Sequence, residues 1–214
     1  MFYLAKIPAF VQKLYPQRLW RIDTDARELY LSFDDGPHPR HTAFVLDELK
    51  KYNAKASFFC IGDNVKKYPE LYERILDEGH TVGNHTHNHL NAAKTKEQDY
   101  LANIKLAKEY IDSALFRPPY GRINSFLVKQ LASPQYRLKT VMWTVLSGDF
   151  DLKLSKEKCL ENVLLKSDKG SIIVFHDSEK ASEKLHFALP RVLDYFSQKG
   201  WVFKGIDANH LDLK

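Results

Sequence analysis

The sequence predicts an α/β fold, a distorted (β/α)7 barrel with its active site at the carboxyl ends of the strands. From residue 28 onwards, short apolar runs rich in β-branched and aromatic residues alternate with longer amphipathic runs, a pattern typical of βαβ units around a parallel sheet. Five clusters of polar residues directly follow the short runs, and in a parallel barrel the strand ends that they occupy form a single rim.

Seven runs are predicted to be strands, in chain order LYLSF, ASFFCI, HTV, ALF, KTVMWTV, SIIVF and WVFKGI. The helical patterns between them are HTAFVLDELKKY, NVKKYPELYERILDEG, the run from Thr95 to Ile111, NSFLVKQLA, SKEKCLENVLLK and SEKLHFALPRVLDYFSQKG. Pro69 and Pro190 each lie inside a helical pattern, where a proline kinks or begins a helix. Because no repeat or linker is visible, the sequence predicts one domain over residues 1–214, with residues 1–27 packed on it.

Composition excludes several classes of function. Lys and Arg exceed Asp and Glu by 32 to 27, which gives a net charge of +5, but the basic residues are scattered along helical patterns. Such a distribution is typical of a solvated surface, so nucleic-acid binding is not predicted. Cys60 and Cys159 lie far apart in sequence and form no C-x-x-C pair, which argues against a disulfide scaffold and a cysteine metal site.

The amino-terminal run MFYLAKIPAFVQKLYPQRLWRI is apolar, aromatic and basic, but Lys6, Pro8 and Lys13 interrupt it. Neither a signal peptide nor a membrane-spanning helix is therefore predicted, which favours a location in the cytoplasm or at a membrane surface. One interpretation is a segment that packs on the domain, and the other is a peripheral membrane contact. The aromatic residues available for that contact are Phe2, Tyr3, Phe10 and Trp20.

The stretch GNHTHNH contains three histidines within five residues. In a turn, His85 and His89 can face one ion while His87 points away, because residues four apart lie over one another. In an extended strand the two would lie about 13 Å apart, which is too far for joint ligation. A metal site also needs a third ligand, such as a carboxylate. The alternative is a set of solvated loop histidines, or one buried histidine with exposed neighbours.

The stretch FDDGP ends the first predicted strand with two adjacent carboxylates, Asp34 and Asp35. Adjacent residues leave a strand on opposite sides, so the two can have different roles. One carboxylate can complete a metal site with His85 and His89, and the other can act as a base toward water. The alternative is a turn that an aspartate side chain caps.

Three further clusters offer charged partners. In RPPYG, Arg117 can keep an aspartate ionised and the Tyr120 N–H can point into the site, unless Arg117 is a surface residue. Asp149 in SGDFD can orient His176 in VFHDS and keep it cationic as a general acid. Phe150 would then form an apolar wall beside them, or belong to the core.

The five motifs LSFDDGPHP, GNHTHNH, FRPPYG, WTVLSGDFD and IIVFHDS resemble the polysaccharide deacetylases, the NodB-homology domain of carbohydrate esterase family four. The resemblance covers residues 29 to about 205 and preserves the order and approximate spacing of the motifs. It implies that Asp34 is the general base and that Asp35, His85 and His89 are the metal ligands. His87 occupies a variable position in the family.

The resemblance implies roles for the other charged residues as well. Arg117 matches the arginine that pairs with the base, and the backbone N–H of Tyr120 matches the donor to the oxyanion. Asp149 and His176 match the tuning aspartate and the catalytic histidine.

Three positions depart from the family pattern. Leu146 and Phe150 stand where D-x-x-D-W has its first Asp and its Trp, and Val174 replaces the usual leucine two residues before the catalytic histidine. These changes keep the catalytic groups but alter the pocket, so Phe150 and Val174 are predicted to contact substrate.

The implied function is a metal-dependent hydrolase that removes N-acetyl groups from glycans containing N-acetylglucosamine, including peptidoglycan. The implied cofactor is one divalent ion, Zn²⁺ in the first place, with Co²⁺ or Ni²⁺ as substitutes. Two alternatives stay open. One is hydrolysis of another bond at the same site, an O-acetyl ester of xylan or a cyclic imide or ureide. The other is a non-catalytic domain that binds glycan or metal.

Overall fold

The computed structural model describes residues 3–207, whose strands form a curled parallel sheet. The strands are β1 (Glu28–Asp34), β2 (Ser57–Cys60), β3 (Thr81–Asn84), β4 (Leu115–Phe116), β5 (Lys139–Thr140), β6 (Val145–Leu146), β7 (Ile172–His176) and β8 (Val202–Phe203). Seven of them follow one another in the order β5-β4-β3-β2-β1-β7-β6, and β8 pairs with the start of β1. This architecture confirms the predicted distorted (β/α)7 barrel.

Helices cover the outside of the sheet. They are α1 (Ala9–Leu14), α2 (His41–Lys51), α3 (Gly62–Lys67), α4 (Pro69–Asp77), α5 (Glu97–Ala107), α6 (Ser125–Leu131), α7 (Lys156–Leu164) and α8 (Ser182–Gln198). Two 3₁₀ turns lie at Pro119–Gly121 and Glu179–Ala181. Pro69 divides one predicted helix into α3 and α4, because it is favoured at the first position of a helix. Pro190 lies inside α8, and the helix continues through it.

The alternation of side chains along β1 separates the core into layers. Leu29, Leu31 and Phe33 pack into the cluster that includes residues of α2 and α8, so they face the helices. Tyr30 belongs to a separate cluster with Ile172 and other interior residues. Since successive strand residues point to opposite faces, Ser32 and Asp34 share the interior face with Tyr30. The interior face of β1 therefore ends in a carboxylate at the rim.

The predicted strand KTVMWTV is two strands, β5 and β6, at opposite ends of the sheet order. The amino-terminal segment lies along the opening between them. Leu19 forms a bridge to Val141, and Lys6 forms one to Val145. The prediction of one strand was wrong because the chain turns from one edge of the curled sheet to the other within a single apolar run. The last predicted strand is also shorter than expected, since β8 contains two residues.

The aromatic residues of the amino-terminal segment have different environments. Trp20 is buried and its indole N–H donates to the carbonyl oxygen of Tyr15, while the ring of Tyr3 lies 5.1 Å from that of Phe150. Phe10 is exposed, and Phe2 lies outside the described residues. Because Trp20 is buried, it is not available for the predicted membrane contact. The contact through the other aromatic residues stays a prediction. Within residues 3–207, no helix has the length and apolar character needed to cross a membrane.

Candidate active site

Three side chains of the kinds that commonly ligate metals lie close together at the rim of the barrel. Asp35 follows β1, and His85 and His89 follow β3. Asp35 Oδ1 lies 3.7 Å from His85 Nε2 and 3.2 Å from His89 Nε2. Asp35 and His89 have left-handed backbone conformations, with φ of 85° and 55°, which non-glycine residues rarely adopt. The local backbone is thus strained where the three side chains meet.

These residues fit a divalent cation. Asp35 Oδ1 is buried and has no hydrogen-bond partner in the described part of the chain, as expected of an atom that ligates a metal. His85 Nδ1 lies 2.7 Å from the carbonyl oxygen of Arg117. Because a carbonyl only accepts, Nδ1 carries the proton and Nε2 keeps its lone pair for a metal. Two imidazoles and one carboxylate form a common zinc ligand set, and bonds of about 2.1 Å place such ligand atoms roughly 3.3 Å apart.

The electrostatics of the trio suit ligation as well. Burial lowers the pKa of His85 to about 4, which keeps its imidazole neutral at physiological pH. Burial alone would raise the pKa of Asp35, but the close approach of His89 and the charges of nearby histidines outweigh it and hold that pKa well below its usual range. His87 is outside the trio, since its ring stacks on that of Tyr110 at 5.5 Å. The turn geometry expected for GNHTHNH is therefore present.

Asp34 forms a buried ion pair with Arg117. Arg117 Nη1 donates to Asp34 Oδ1 at 2.7 Å and to Ser32 Oγ at 2.8 Å. Nε and Nη2 donate to the carbonyl oxygens of Val141 and Met142. Burial lowers the pKa of Arg117 and the charge of Asp34 opposes that effect. Arg117 is fully buried, so it is an interior residue and not the surface arginine of the alternative interpretation.

An aromatic ring supports this arginine. The Arg117 guanidinium lies over the ring of Phe59, 3.9 Å from its centroid. Space for that ring depends on Gly83, because a Cβ added there would lie 2.5 Å from Phe59 Cδ1. Gly83 thus allows Phe59 to pack beneath the guanidinium, where cation–π attraction helps to hold it.

His176 lies beside Asp34 and is held by Asp149. Asp34 and His176 are register partners across β1 and β7. Their side chains therefore share the interior face, about 5 Å apart along the hydrogen-bonding direction. His176 Nδ1 donates to Asp149 Oδ1 at 2.8 Å, and the His176 backbone N–H donates to Oδ2 at 2.7 Å. Burial alone would lower the pKa of His176, but Asp149, with smaller contributions from Asp35 and Asp34, raises it to about 10. Within residues 3–207, His176 Nε2 makes no hydrogen bond and can serve a substrate.

The structure separates the three residues predicted to contact substrate or oxyanion. Tyr120 has φ of 60°, its N–H has no acceptor within residues 3–207, and its ring lies 4.7 Å from that of His89. The ring of Phe150 meets that of His176 edge-on at 5.3 Å. Val174 is buried and pairs with Ser32, two residues below His176 along β7. Val174 therefore packs beneath the site, whereas Tyr120 is exposed and Phe150 is partly exposed. The predicted contact of Val174 with substrate stays a prediction.

Asp177 is a buried residue that sequence reasoning missed. Its Oδ1 accepts the Gly36 N–H at 3.0 Å, Oδ2 accepts the hydroxyl of Thr42, and its own N–H donates to the carbonyl oxygen of Asp34 at 3.1 Å. Burial, with a smaller contribution from the charge of Asp35, raises the pKa of Asp177 to about 7. A signal existed in the sequence, since Asp177 is a charged residue directly after His176 at a strand end.

Two asparagines from neighbouring helices hold the metal-ligand loops. Asn64 donates to the carbonyl oxygen of Asp35 at 2.8 Å. Asn103 Oδ1 accepts the N–H groups of His87 and Asn88 at 2.8 and 3.1 Å. These residues have no motif spacing in the sequence, because only the fold brings them to the site.

The family described as "Polysaccharide deacetylase" matches residues 21–138. A peptidoglycan-N-acetylglucosamine deacetylase of Bacillus cereus (strain ATCC 14579) is 34% identical over 190 residues, which are 86% of this chain and 88% of that protein.

This chain belongs to the polysaccharide deacetylase family. The assignment confirms the family predicted from the motifs, and deacetylation of a glycan, a hydrolysis of a carbon–nitrogen bond, is the reaction class of these relatives.

Two further polysaccharide deacetylases show the extent of the similarity. The crystal structure of the Bc1960 peptidoglycan N-acetylglucosamine deacetylase superposes with a TM-score of 0.84 at 30% identity, over 94% of this chain and 95% of that one. The peptidoglycan-N-acetylmuramic acid deacetylase PdaC of Bacillus subtilis is 33% identical over 75% of this chain, but the match spans only 34% of that longer protein.

Proposed function

We propose that this polysaccharide deacetylase hydrolyses the N-acetyl group of N-acetylglucosamine residues in peptidoglycan. The observation that carries the proposal is the register pair of Asp34 and His176, a held carboxylate and a protonated imidazole, beside the Asp35, His85 and His89 trio. A base, an acid and a metal-ligand set thus meet at the rim where such barrels build active sites.

The trio would hold one divalent cation, Zn²⁺ in the first place and Co²⁺ or Ni²⁺ as alternatives. Such a cation supplies Lewis-acid polarisation of the amide carbonyl and lowers the pKa of the attacking water toward about 7. Asp34 has one oxygen committed to Arg117, so Oδ2 is the atom that would accept the proton of that water. Arg117 keeps this carboxylate ionised and oriented through the buried ion pair.

His176 would act on the leaving-group side of the scissile bond. Its Nδ1 is bound to Asp149, so Nε2 is the atom that would protonate the departing nitrogen. The Tyr120 N–H is a donor without an acceptor in the described part of the chain, which suits it to the oxyanion that develops during attack. Phe150 forms an apolar wall beside His176, where the acetyl methyl or a sugar face would pack.

A cationic His176 suits the departure of an amine. An amine is a poor leaving group unless it is protonated, whereas an alcohol from an acetyl ester departs more readily. A histidine whose pKa is about 10 remains cationic at neutral pH and can deliver that proton. The relatives named as peptidoglycan deacetylases support N-deacetylation over the O-acetyl esterase alternative.

The test is acetate release by the zinc-loaded protein from peptidoglycan fragments, chitooligosaccharides and acetylated xylan, each with a chelated sample. We expect chelator-sensitive release from the peptidoglycan fragments, with free amine appearing on glucosamine. Release only from xylan would contradict the proposal and support the esterase. Amine that appears only on muramic acid would correct the sugar and keep the reaction.

A further inference from the structure

A second group of metal-type donors lies on the same rim, outside the trio. Within residues 3–207, one other set of ligand atoms lies within 4.8 Å of one another, and it belongs to His38, His41 and Glu179. His38 lies in the turn after β1, His41 begins α2, and Glu179 lies in the 3₁₀ turn after β7. The two loops that carry the catalytic residues thus also carry these donors.

The donor spacing of this group repeats that of the trio. Glu179 Oε2 lies 3.0 Å from His41 Nε2 and 3.8 Å from His38 Nε2. In the trio, the corresponding distances from Asp35 Oδ1 to its two histidines are 3.2 and 3.7 Å. Both sets consist of two imidazoles and one carboxylate, which suit zinc and other late first-row metals. We propose that His38, His41 and Glu179 form a second site, which binds a divalent transition-metal cation such as Zn²⁺.

A neighbouring histidine completes the arrangement that metal-ligating histidines usually have. His41 Nδ1 lies 3.2 Å from Nε2 of His186 on α8, and the ring of His186 stacks on Phe44 at 3.9 Å. A ligating imidazole commonly donates its second N–H to a fixed acceptor, which orients the ring and selects the tautomer. His186 provides that acceptor. His41 is buried, so its Nε2 presents a preset direction toward Glu179.

Two contacts compete with a metal at this site. The exposed Arg40 guanidinium donates to Glu179 Oε2 at 2.6 Å and would repel a cation. His38 Nδ1 accepts the backbone N–H groups of Arg40 and His41 at 3.3 Å, so ligation through Nε2 requires these long bonds to open. Arg40 can turn into solvent at low cost because its side chain is exposed. Its removal should therefore strengthen metal binding, an effect that an ordinary ion-pair cluster would not show.

A cation here would join the two loops that carry the catalytic residues. The His38 N–H donates to Thr42 Oγ1 at 2.7 Å, and that hydroxyl donates to Asp177. Asp177 in turn holds the Gly36 N–H at the turn that follows Asp34 and Asp35. The second cation would therefore have a structural role, fixing the turn after β1 against the turn after β7.

The experiment counts zinc bound by the full chain after chelation and dialysis against buffered Zn²⁺, with elemental analysis. Wild type should bind two equivalents. Glu179→Gln should bind one, because the second site loses its carboxylate ligand. Asp35→Asn should lose the trio's equivalent and keep the other. Glu183→Gln changes an exposed glutamate of the adjacent helix turn and should still bind two.

Arg40→Ala provides the second measurement. Competition with a chromophoric chelator should show tighter binding of the second equivalent in this variant than in wild type. The proposal is overturned if wild type binds a single equivalent, if Glu179→Gln retains two, or if Asp35→Asn binds none. Unchanged or weaker binding in Arg40→Ala would equally contradict it, since the guanidinium would then not compete for Glu179.

Discussion

Arg117 and Asp34 form a salt bridge of 2.7 Å inside the barrel, where neither side chain has appreciable contact with solvent. The pair connects stability to activity, because the same carboxylate that would accept a proton from water also neutralises a buried guanidinium. Removal of a partner from a buried ion pair leaves an uncompensated charge, which is strongly destabilising.

Asp34→Asn should therefore affect two measurements at once. Turnover should fall by several orders of magnitude, because an amide is not a base. Stability should fall by about 3–5 kcal/mol, because Arg117 loses its counter-charge. Urea unfolding and acetate release measure the two effects, and zinc at the trio should remain at the wild-type level. A variant that retains activity would remove Asp34 from the role of base.

His85→Ala should abolish metal binding at the trio, since it removes one of three donors and the one whose Nε2 is preset by the Arg117 carbonyl. The matched control is His87→Ala, in the same turn but stacked on Tyr110 away from the trio. Elemental analysis of the two variants should show loss in the first and retention in the second. Equal metal content in both would contradict the ligand assignment.

Asp149→Asn should shift the pH profile of activity. The pKa of His176 is raised from 6.5 to about 10, mainly by Asp149, and the proposed reaction requires the protonated form. Activity is therefore lost as pH rises through this pKa, and loss of the carboxylate should move that alkaline limb to lower pH. The charge of Asp35 also raises the pKa of His176, and a bound cation would neutralise that charge. In the metal-loaded wild type, activity should therefore fall at a pH below 10. An unmoved limb in kcat/KM would contradict the role of the pair.

The same pair has a consequence for folding. Because the folded-state pKa of His176 is raised, its contribution to stability is complete below pH 6.5 and is lost as pH rises toward about 10. Unfolding free energies of wild type and Asp149→Asn, measured across this window, should converge at its upper end. A constant difference would indicate that the two residues are coupled by packing alone.

Gly36→Ala should impair both stability and activity through crowding. A Cβ at this position would lie 2.1 Å from Asp177 Oδ2, and overpacking of this kind costs roughly 1–3 kcal/mol. The displaced turn carries Asp34 and Asp35, so kcat should fall as well. Gly200→Ala is the control, because its φ of +72° is strained but its Cβ would meet nothing within 4 Å. That variant should lose stability and keep its kcat.

The sequence predicted the barrel and the residues at its rim because strand ends and polar motifs coincide. The period of two along a strand also explains why Asp34 and His176, which end neighbouring strands in register, share one interior face. Periodicity could not place Val174, since a residue two positions below a site residue shares its face and differs only in depth.

Other features depend on pairing between distant parts of the chain. Glu179 joins His38 and His41 across a long sequence separation, and no motif relates the three. The short spacing of His38 and His41 after the DDGP turn was a partial signal in the sequence. Only the fold brings the Glu179 carboxylate to them. The division of KTVMWTV also escapes periodicity, because an apolar run looks the same whether it belongs to one strand or to two.

The amino-terminal segment also bears on self-association. A curled sheet that stops short of closure has two exposed edges, and unpaired N–H and C=O groups on such edges recruit strands from other molecules. Here Leu19 exchanges hydrogen bonds with Thr140 and Met142 at one edge, while Ile7 and Ala5 bond to Thr144 and Leu146 at the other. The segment thereby keeps the barrel from adding strands of its neighbours, so it protects the protein from aggregation as well as completing its wall.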